Sequence, residues 1–279
     1  MQSRLLGAII RAILVVALVA LPSVLMVEVS SDTKQMVTLA ALLAGGLIFA
    51  EYNAVYPSLI EFRDAAPFNR LRFLMLFTSV AVLTLIQDAV ALPTAAAETV
   101  RTFGAIVGNA MDFPLSPVHL LTQMVQSAAS EGQISALRSA AGLAYLISVS
   151  WLALFAIIVR IGGWPNSKRP LNVWVNLPMF DPTAGADVVT RLARHGRVNI
   201  LLGFLLPFIV PVAAKLMLGH ASLLVGLSPH SMIWIISLWA FFPASLILRG
   251  LALLRIAELI VHSRNAHATL SPSERYAPA

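Results

Sequence analysis

Cysteine is absent from the 279 residues. That excludes a disulfide framework, a thiolate metal site and a cysteine nucleophile. Charge is also scarce: Asp, Glu, Lys and Arg make up 11% of the chain, against about 25% in a soluble domain. So few ionic groups cannot cover a water-facing surface unless hydrocarbon replaces water around much of it. Catalytic signatures are missing too. No H-E-x-x-H, G-x-S-x-G, G-x-x-x-x-G-K-[ST] or G-x-G-x-x-G string occurs, so no motif points to a zinc protease, serine hydrolase, P-loop NTPase or dinucleotide enzyme.

What is present is apolar: 58% of residues are hydrophobic and the mean hydropathy is +0.84. Apolar runs of about 20 residues are long enough to cross a bilayer, and six can be marked. They cover about 5–27, 36–56, 71–92, 139–160, 198–218 and 230–256. The expected fold is an all-α integral membrane protein, a six-helix transmembrane bundle with amphipathic interfacial helices. The first run resembles a secretory leader in its basic start, but Ala17 and Ala20 are mis-spaced for cleavage, so it is read as a retained helix. Small residues recur at Ala41 and Gly45, and at Ala140, Ala144 and Ser148. Such stripes let helix backbones approach closely in lipid. Pro207, Pro211 and Pro243 fall inside the last two runs, where each removes a backbone donor and bends its helix.

The chain carries a net charge of +6. In a soluble domain this would suggest nucleic acid; here the basic residues sit beside apolar runs and set topology, so no nucleic-acid partner is expected. Of the 19 Lys and Arg residues, Lys34, Arg101, Arg138 and Lys215 fall on one side of the expected membrane and all others on the opposite side. The positive-inside rule then puts both termini in the cytoplasm, and the protein is expected in a bacterial inner membrane.

Two connections are long. Residues 94–137 contain a stripe of Val100, Phe103, Val107 and Met111, then Ser116-Pro117 as a helix start with Val118, Leu121, Val125 and Ala128 on one face. Two interfacial helices are expected there. In the 162–197 loop the first half is proline-rich and irregular, and 184–197 reads as a separate basic amphipathic helix. Residues 263–279 read as a mobile tail. Trp164 and Trp174 read as interface anchors.

The densest polar stretch is 51–72. Glu61, Arg63, Asp64, Asn69 and Arg70 there, with Arg191 and Arg194 from the later loop, are the expected contacts for a partner protein or an anionic lipid. An internally bonded turn is the competing account, and Glu51 is expected to pair with Arg63 or Arg70. Ionisable groups within spans are functional candidates, so Glu51, Gln87 and Asp88 form a possible intramembrane polar site. The six histidines lack metal-ligand spacing or a haem pair inside spans. No cofactor or metal is expected.

The expected function is a non-catalytic accessory, scaffold or assembly component of a larger membrane complex. Its partners are the phospholipid bilayer and a second membrane protein or another copy of the chain. The alternative is a small-solute transporter or channel using the proline-broken fifth and sixth helices. A third reading, an enzyme acting on lipid headgroups, needs Glu61 and Asp64 together inside a cleft with arginines around it.

Overall fold

The computed structural model describes residues 2–26, 29–91, 94–126, 129–165, 176–178, 180, 187–218 and 228–269. Among them every regular element is a helix: α1 (Gln2–Leu25), α2 (Ser31–Asn53), α3 (Phe68–Ala91), α4 (Ala95–Met111), α5 (Pro117–Val125), α6 (Glu131–Ile161), α7 (Val188–Leu218) and α8 (Pro229–Thr269). Six of these are long and apolar enough to cross a membrane: α1, α2, α3, α6, α7 and α8. This is the build of an integral membrane protein.

Helix starts follow local hydrogen-bond chemistry. Ser30, Thr94 and Ser116 each cap a helix by accepting a backbone N–H three residues on. Ser130 and Gln133 form a reciprocal capping box at the start of α6. Pro117 occupies the first turn of α5, where no backbone donor is needed.

The spans alternate, so the molecule has two ends. On one lie the start of α1 and the end of α8; this is the termini face. The other carries α4 and α5 and is the lid face. Helix α8 packs against α3, α6 and α7, while α2 packs chiefly on α1. One apolar core lies toward the lid face, around Val80, Leu83, Leu121 and Ile236. A second lies toward the termini face, around Phe62, Phe68, Phe155 and Trp164.

Close backbone contacts fix the helix pairs. A methyl carbon placed on Gly203 would lie 2.5 Å from the Pro243 carbonyl oxygen, and one on Gly250 would lie 2.6 Å from that of Gly196. Helices α7 and α8 therefore touch backbone to backbone at two points, Gly196 with Gly250 and Gly203 with Pro243. Gly108 of α4 and Gly142 of α6 meet in the same way. Ala41 and Gly45 are buried on the α1 side of α2, and Ala140, Ala144 and Ser148 are buried on α6.

Four local expectations need correction. Residues 188–197 are no separate interfacial helix but the first turns of α7. At about 1.5 Å per residue a helix of 31 residues is longer than a hydrocarbon layer of ~30 Å, so Arg191, Arg194 and Arg197 belong to the same helix as the apolar run and need no separate element. Helix α8 likewise runs to Thr269, so the stretch expected to begin a tail at 263 begins as helix. The buried side of α4 is Ala97, Gly104, Val107 and Gly108, while Phe103 is exposed; backbone contact at the glycines rotates the bulky residue outward. Trp164 is no interface anchor but is 2% exposed, in the centre of the aromatic core. Trp174, Ala128 and the expected turn at 219–227 lie outside the described residues.

Candidate functional site

The turn 54–67, between α2 and α3, is the most heavily bonded piece of the termini face among the described residues. It begins where α2 ends, and the last carbonyls of a helix need donors. Arg63 supplies them: its guanidinium donates to the carbonyl oxygens of Glu51 (3.0 Å), Ala54 (2.7 Å) and Val55 (3.2 Å). The Glu51 carboxylate turns the other way and accepts the backbone N–H groups of Ser58 (3.0 Å), Leu59 (2.9 Å) and Ile60 (3.2 Å), with the Ser58 hydroxyl at 2.5 Å. The expected ion pair between Glu51 and Arg63 or Arg70 is therefore replaced by a different arrangement. Glu51 and Arg63 secure the same turn, each through backbone groups.

Beyond Ile60 the chain is tied to the bundle. Glu61 accepts two hydrogen bonds from Arg249 of α8, at 2.6 and 2.7 Å. Asn69 donates to the Glu61 carbonyl at 2.7 Å. Phe62 is fully buried with φ of 53°, a left-handed conformation that costs an aromatic residue about 1–3 kcal/mol. Asn176 holds it there: its carbonyl accepts the Phe62 N–H at 2.7 Å and its side chain accepts the Asp64 N–H at 3.2 Å. The ring packs among Phe68 and Trp164, and the Trp164 indole donates to the carbonyls of Ala65 and Ala66. Arg255 closes the assembly by donating to the Trp164 carbonyl at 3.1 Å.

The result is a stiff turn that presents an apolar knob. Val55, Tyr56 and Leu59 are 63%, 78% and 55% exposed, although the backbone on either side of Tyr56 is hydrogen-bonded, at the Val55 carbonyl and the Leu59 N–H. A tyrosine held this way meets a partner with little further loss of conformational entropy. Asp64 and Arg70 are exposed nearby in sequence, and Arg194 is exposed on the first turns of α7. Arg191 lies with its guanidinium 4.7 Å from the centre of the Phe180 ring.

The sequence-derived candidates thus divide. Glu61, Arg63 and Asn69 are turned inward and hold the turn together; Asp64, Arg70 and Arg194 face outward. Glu51 and Gln87 are not brought together: Gln87 lies nearly the whole length of α3 away. There it lines, with Leu83, Ala140 and Ile236, a cavity of about 20 Å³, room for about one water molecule. Asp88 lies in α3, but its side chain is outside the described residues.

Two functional residues escape a reading of the sequence. Arg249 and Arg72 count there only as topology charges. Arg249 in fact partners Glu61, and Arg72 stacks over Phe68 at 5.6 Å and Phe241 at 6.0 Å, within electrostatic reach of the Glu61–Arg249 pair. An arginine inside an apolar span is itself a signal, and Arg249 falls in the sixth run.

Glu51 and Glu61 are each filled with donors. Glu61 points to Arg249 while the Asp64 side chain is 61% exposed, so no cleft gathers the two carboxylates as headgroup catalysis requires. On the lid face Asp112 bridges Arg138 and His119, with His119 at 2.6 Å, and Gln123 bonds the other ring nitrogen at 3.0 Å. This cluster ties α4, α5 and α6 together. Among the described residues no group of three or more His, Asp or Glu converges as a metal site. No family model, curated protein or solved structure matches this chain.

Proposed function

We propose that this chain is a non-catalytic polytopic membrane protein that serves as an accessory, scaffold or assembly component of a larger membrane complex. Both termini lie in the cytoplasm of a bacterial cell and the six spans in its inner membrane. The arginine distribution supports that orientation, because twelve of the sixteen Lys and Arg residues described lie toward the termini face.

The observation that carries the reading is the stiff turn with its exposed Val55, Tyr56 and Leu59. Two charged side chains, a buried aromatic core and the last span all act to hold this one turn. Such preorganisation suits recognition, where a central tyrosine often contributes more than about 2 kcal/mol. The contact is a second membrane protein or another copy of this chain. Broken helices would favour a solute transporter instead. Helices α7 and α8 remain helical through Pro207, Pro211 and Pro243, and Gly203 packs on the Pro243 carbonyl, so this stretch serves helix contact.

Purification in mild detergent tests the proposal. The wild-type chain should carry a stoichiometric partner or run as an oligomer, and the double variant Tyr56→Ala, Leu59→Ala should lose it with helix content unchanged. A wild-type chain that migrates as a clean monomer under several gentle conditions overturns the proposal.

A further inference from the structure

Arg72 is a cation that the fold covers without pairing. It stands about 6 Å inside the start of α3 at ~1.5 Å per residue, with its guanidinium near the rings of Phe68 and Phe241. Its Nε is buried and has no hydrogen-bond partner. Among the described residues no acceptor meets the rest of the guanidinium either. Glu61 lies within electrostatic reach, but its two oxygens are already filled by Nε and Nη2 of Arg249, at 2.6 and 2.7 Å. Arg72, Arg249 and Glu61 together carry one net positive charge. Arginine does not shed its proton in a protein, and a covered charge without a counter-charge is costly.

Tyr52, in the last turn of α2, brings a second arginine to the same place. Arg11 of α1 lies with its guanidinium 4.6 Å from the centre of the Tyr52 ring, and it gives Nη1 to the Gly7 carbonyl at 2.8 Å. Arg72, Arg63 and Asp64 also act electrostatically on the Tyr52 hydroxyl. The carboxylates nearby are engaged elsewhere: Asp64 pairs with Arg63 at 3.4 Å, and Glu51 is filled by the N–H groups of Ser58, Leu59 and Ile60. Among the described residues the Tyr52 hydroxyl has no hydrogen-bond partner. Three helices thus bring two guanidinium groups and a phenol together with donors to spare.

Geometry and depth name the anion. A planar carboxylate is satisfied by one arginine fork, as Glu61 is by Arg249. Forks arriving from two helices, with a hydroxyl between them, match the oxygens of a tetrahedral phosphate. Helix α2 has 23 residues, about 35 Å at ~1.5 Å per residue, a little more than a hydrocarbon layer of ~30 Å. Tyr52 at its end therefore lies at the hydrocarbon boundary, where anionic headgroups enter basic pockets between helices. We infer that Arg72, Arg11 and the Tyr52 hydroxyl bind one phosphate group at the termini face, carried by a lipid headgroup or as free phosphate. The site does not use Val55, Tyr56 or Leu59, so it and the accessory role fail separately.

The test is native mass spectrometry of the full chain in mild detergent, incubated with phosphatidylglycerol, with diacylglycerol of the same chains, or with inorganic phosphate. The expected result is one retained phosphatidylglycerol per chain and about tenfold less diacylglycerol. An adduct of inorganic phosphate alone, lost in Arg72→Gln, gives the same site to the free anion. Arg72→Gln, and independently Arg11→Gln, should each lower retention by about tenfold, and Arg72→Lys should recover part of it. Tyr52→Phe keeps the ring under Arg11 and should cost about threefold. Arg101→Gln removes an exposed arginine of α4 and should change nothing, as should the double variant Tyr56→Ala, Leu59→Ala. Equal retention by Arg72→Gln, Arg11→Gln and Arg101→Gln, with all of them folded by circular dichroism, overturns the site. The same result with a copurified protein lost from Arg72→Gln gives Arg72 to a partner's carboxylate instead. Equal retention of phosphatidylglycerol and diacylglycerol by the wild type, with no adduct of inorganic phosphate, overturns the phosphate assignment.

Discussion

Replacing Glu51 by glutamine removes a charge on which the N–H groups of Ser58, Leu59 and Ile60 converge. All three N–H groups reach the same oxygen, Oε2, so the amide oxygen of glutamine can keep them; what is lost is the charge, and the Ser58 hydroxyl must turn from donor to acceptor. A hydrogen bond to a charged group contributes about 1.5–3 kcal/mol and one between neutral groups about 0.5–1.5 kcal/mol. Glu51 also lies at a helix end where water can relieve part of the loss. A net cost of about 1–2 kcal/mol for holding the turn closed follows. That corresponds to about a 5- to 30-fold rise in the open population. Hydrogen exchange on the full chain in detergent reads this directly: amides 58–60 should exchange faster by that factor, while amides in the middle of α6 should not change. Glu51→Asp, which keeps the charge but shortens the reach, should fall between. If exchange at 58–60 rises by less than about threefold, the carboxylate is not what closes the turn and the magnitudes used here do not apply to it.

Other expectations can be checked by unfolding in detergent. Glu61→Gln strands Arg249 beside Arg72 and should destabilise by about 2–3 kcal/mol, below the ~3–5 of a fully buried pair because Arg249 is partly exposed; adding Arg249→Gln should restore part of the loss in a double-mutant cycle. Gly203→Ala should cost about 1–3 kcal/mol by pushing α7 off the Pro243 carbonyl. Gly46→Ala, where an added methyl meets nothing within 4 Å, should stabilise by about 0.8–1 kcal/mol. Asp187 is held below the usual carboxylate range, first by its hydrogen bond from Arg264 and then by the Thr190 backbone. Its contribution is therefore present above the unfolded value and is lost as pH falls through the lower folded one. A spin label at Ser263→Cys should gain mobility on acidification through that range, and Asp187→Asn should give the same mobility at neutral pH.

The spans were legible because apolar run length is a one-dimensional property. The Ser116-Pro117 start of α5 was legible because a cap and its first turn are adjacent in sequence. Ala41 with Gly45, and Ala140 with Ala144, were legible because small residues four apart share a face. The rest depends on partners far apart. Gly203 and Gly250 form no such stripe within one helix, and only the α7–α8 crossing pairs them with Pro243 and Gly196. Trp164 follows a long apolar helix, so composition places it at the membrane surface; only the fold of the 54–67 turn buries it. Asn176 sits in a proline-rich loop whose purpose is invisible until Phe62 is seen in its left-handed conformation. At Glu61 and Arg63 the sequence offered two accounts, an outward surface and an inward turn, and the geometry chooses the turn.

The Glu61–Arg249 bond joins residues 188 positions apart. A ribosome must make the chain through Arg249 before that bond can close. Until then α2 and α3 can be in place but the corner joining them is unfinished, and Tyr56 is not yet in its final pose. A chain stopped short of α8 would lack a completed knob, so recruitment through this corner would select copies that already carry α8 from those that do not.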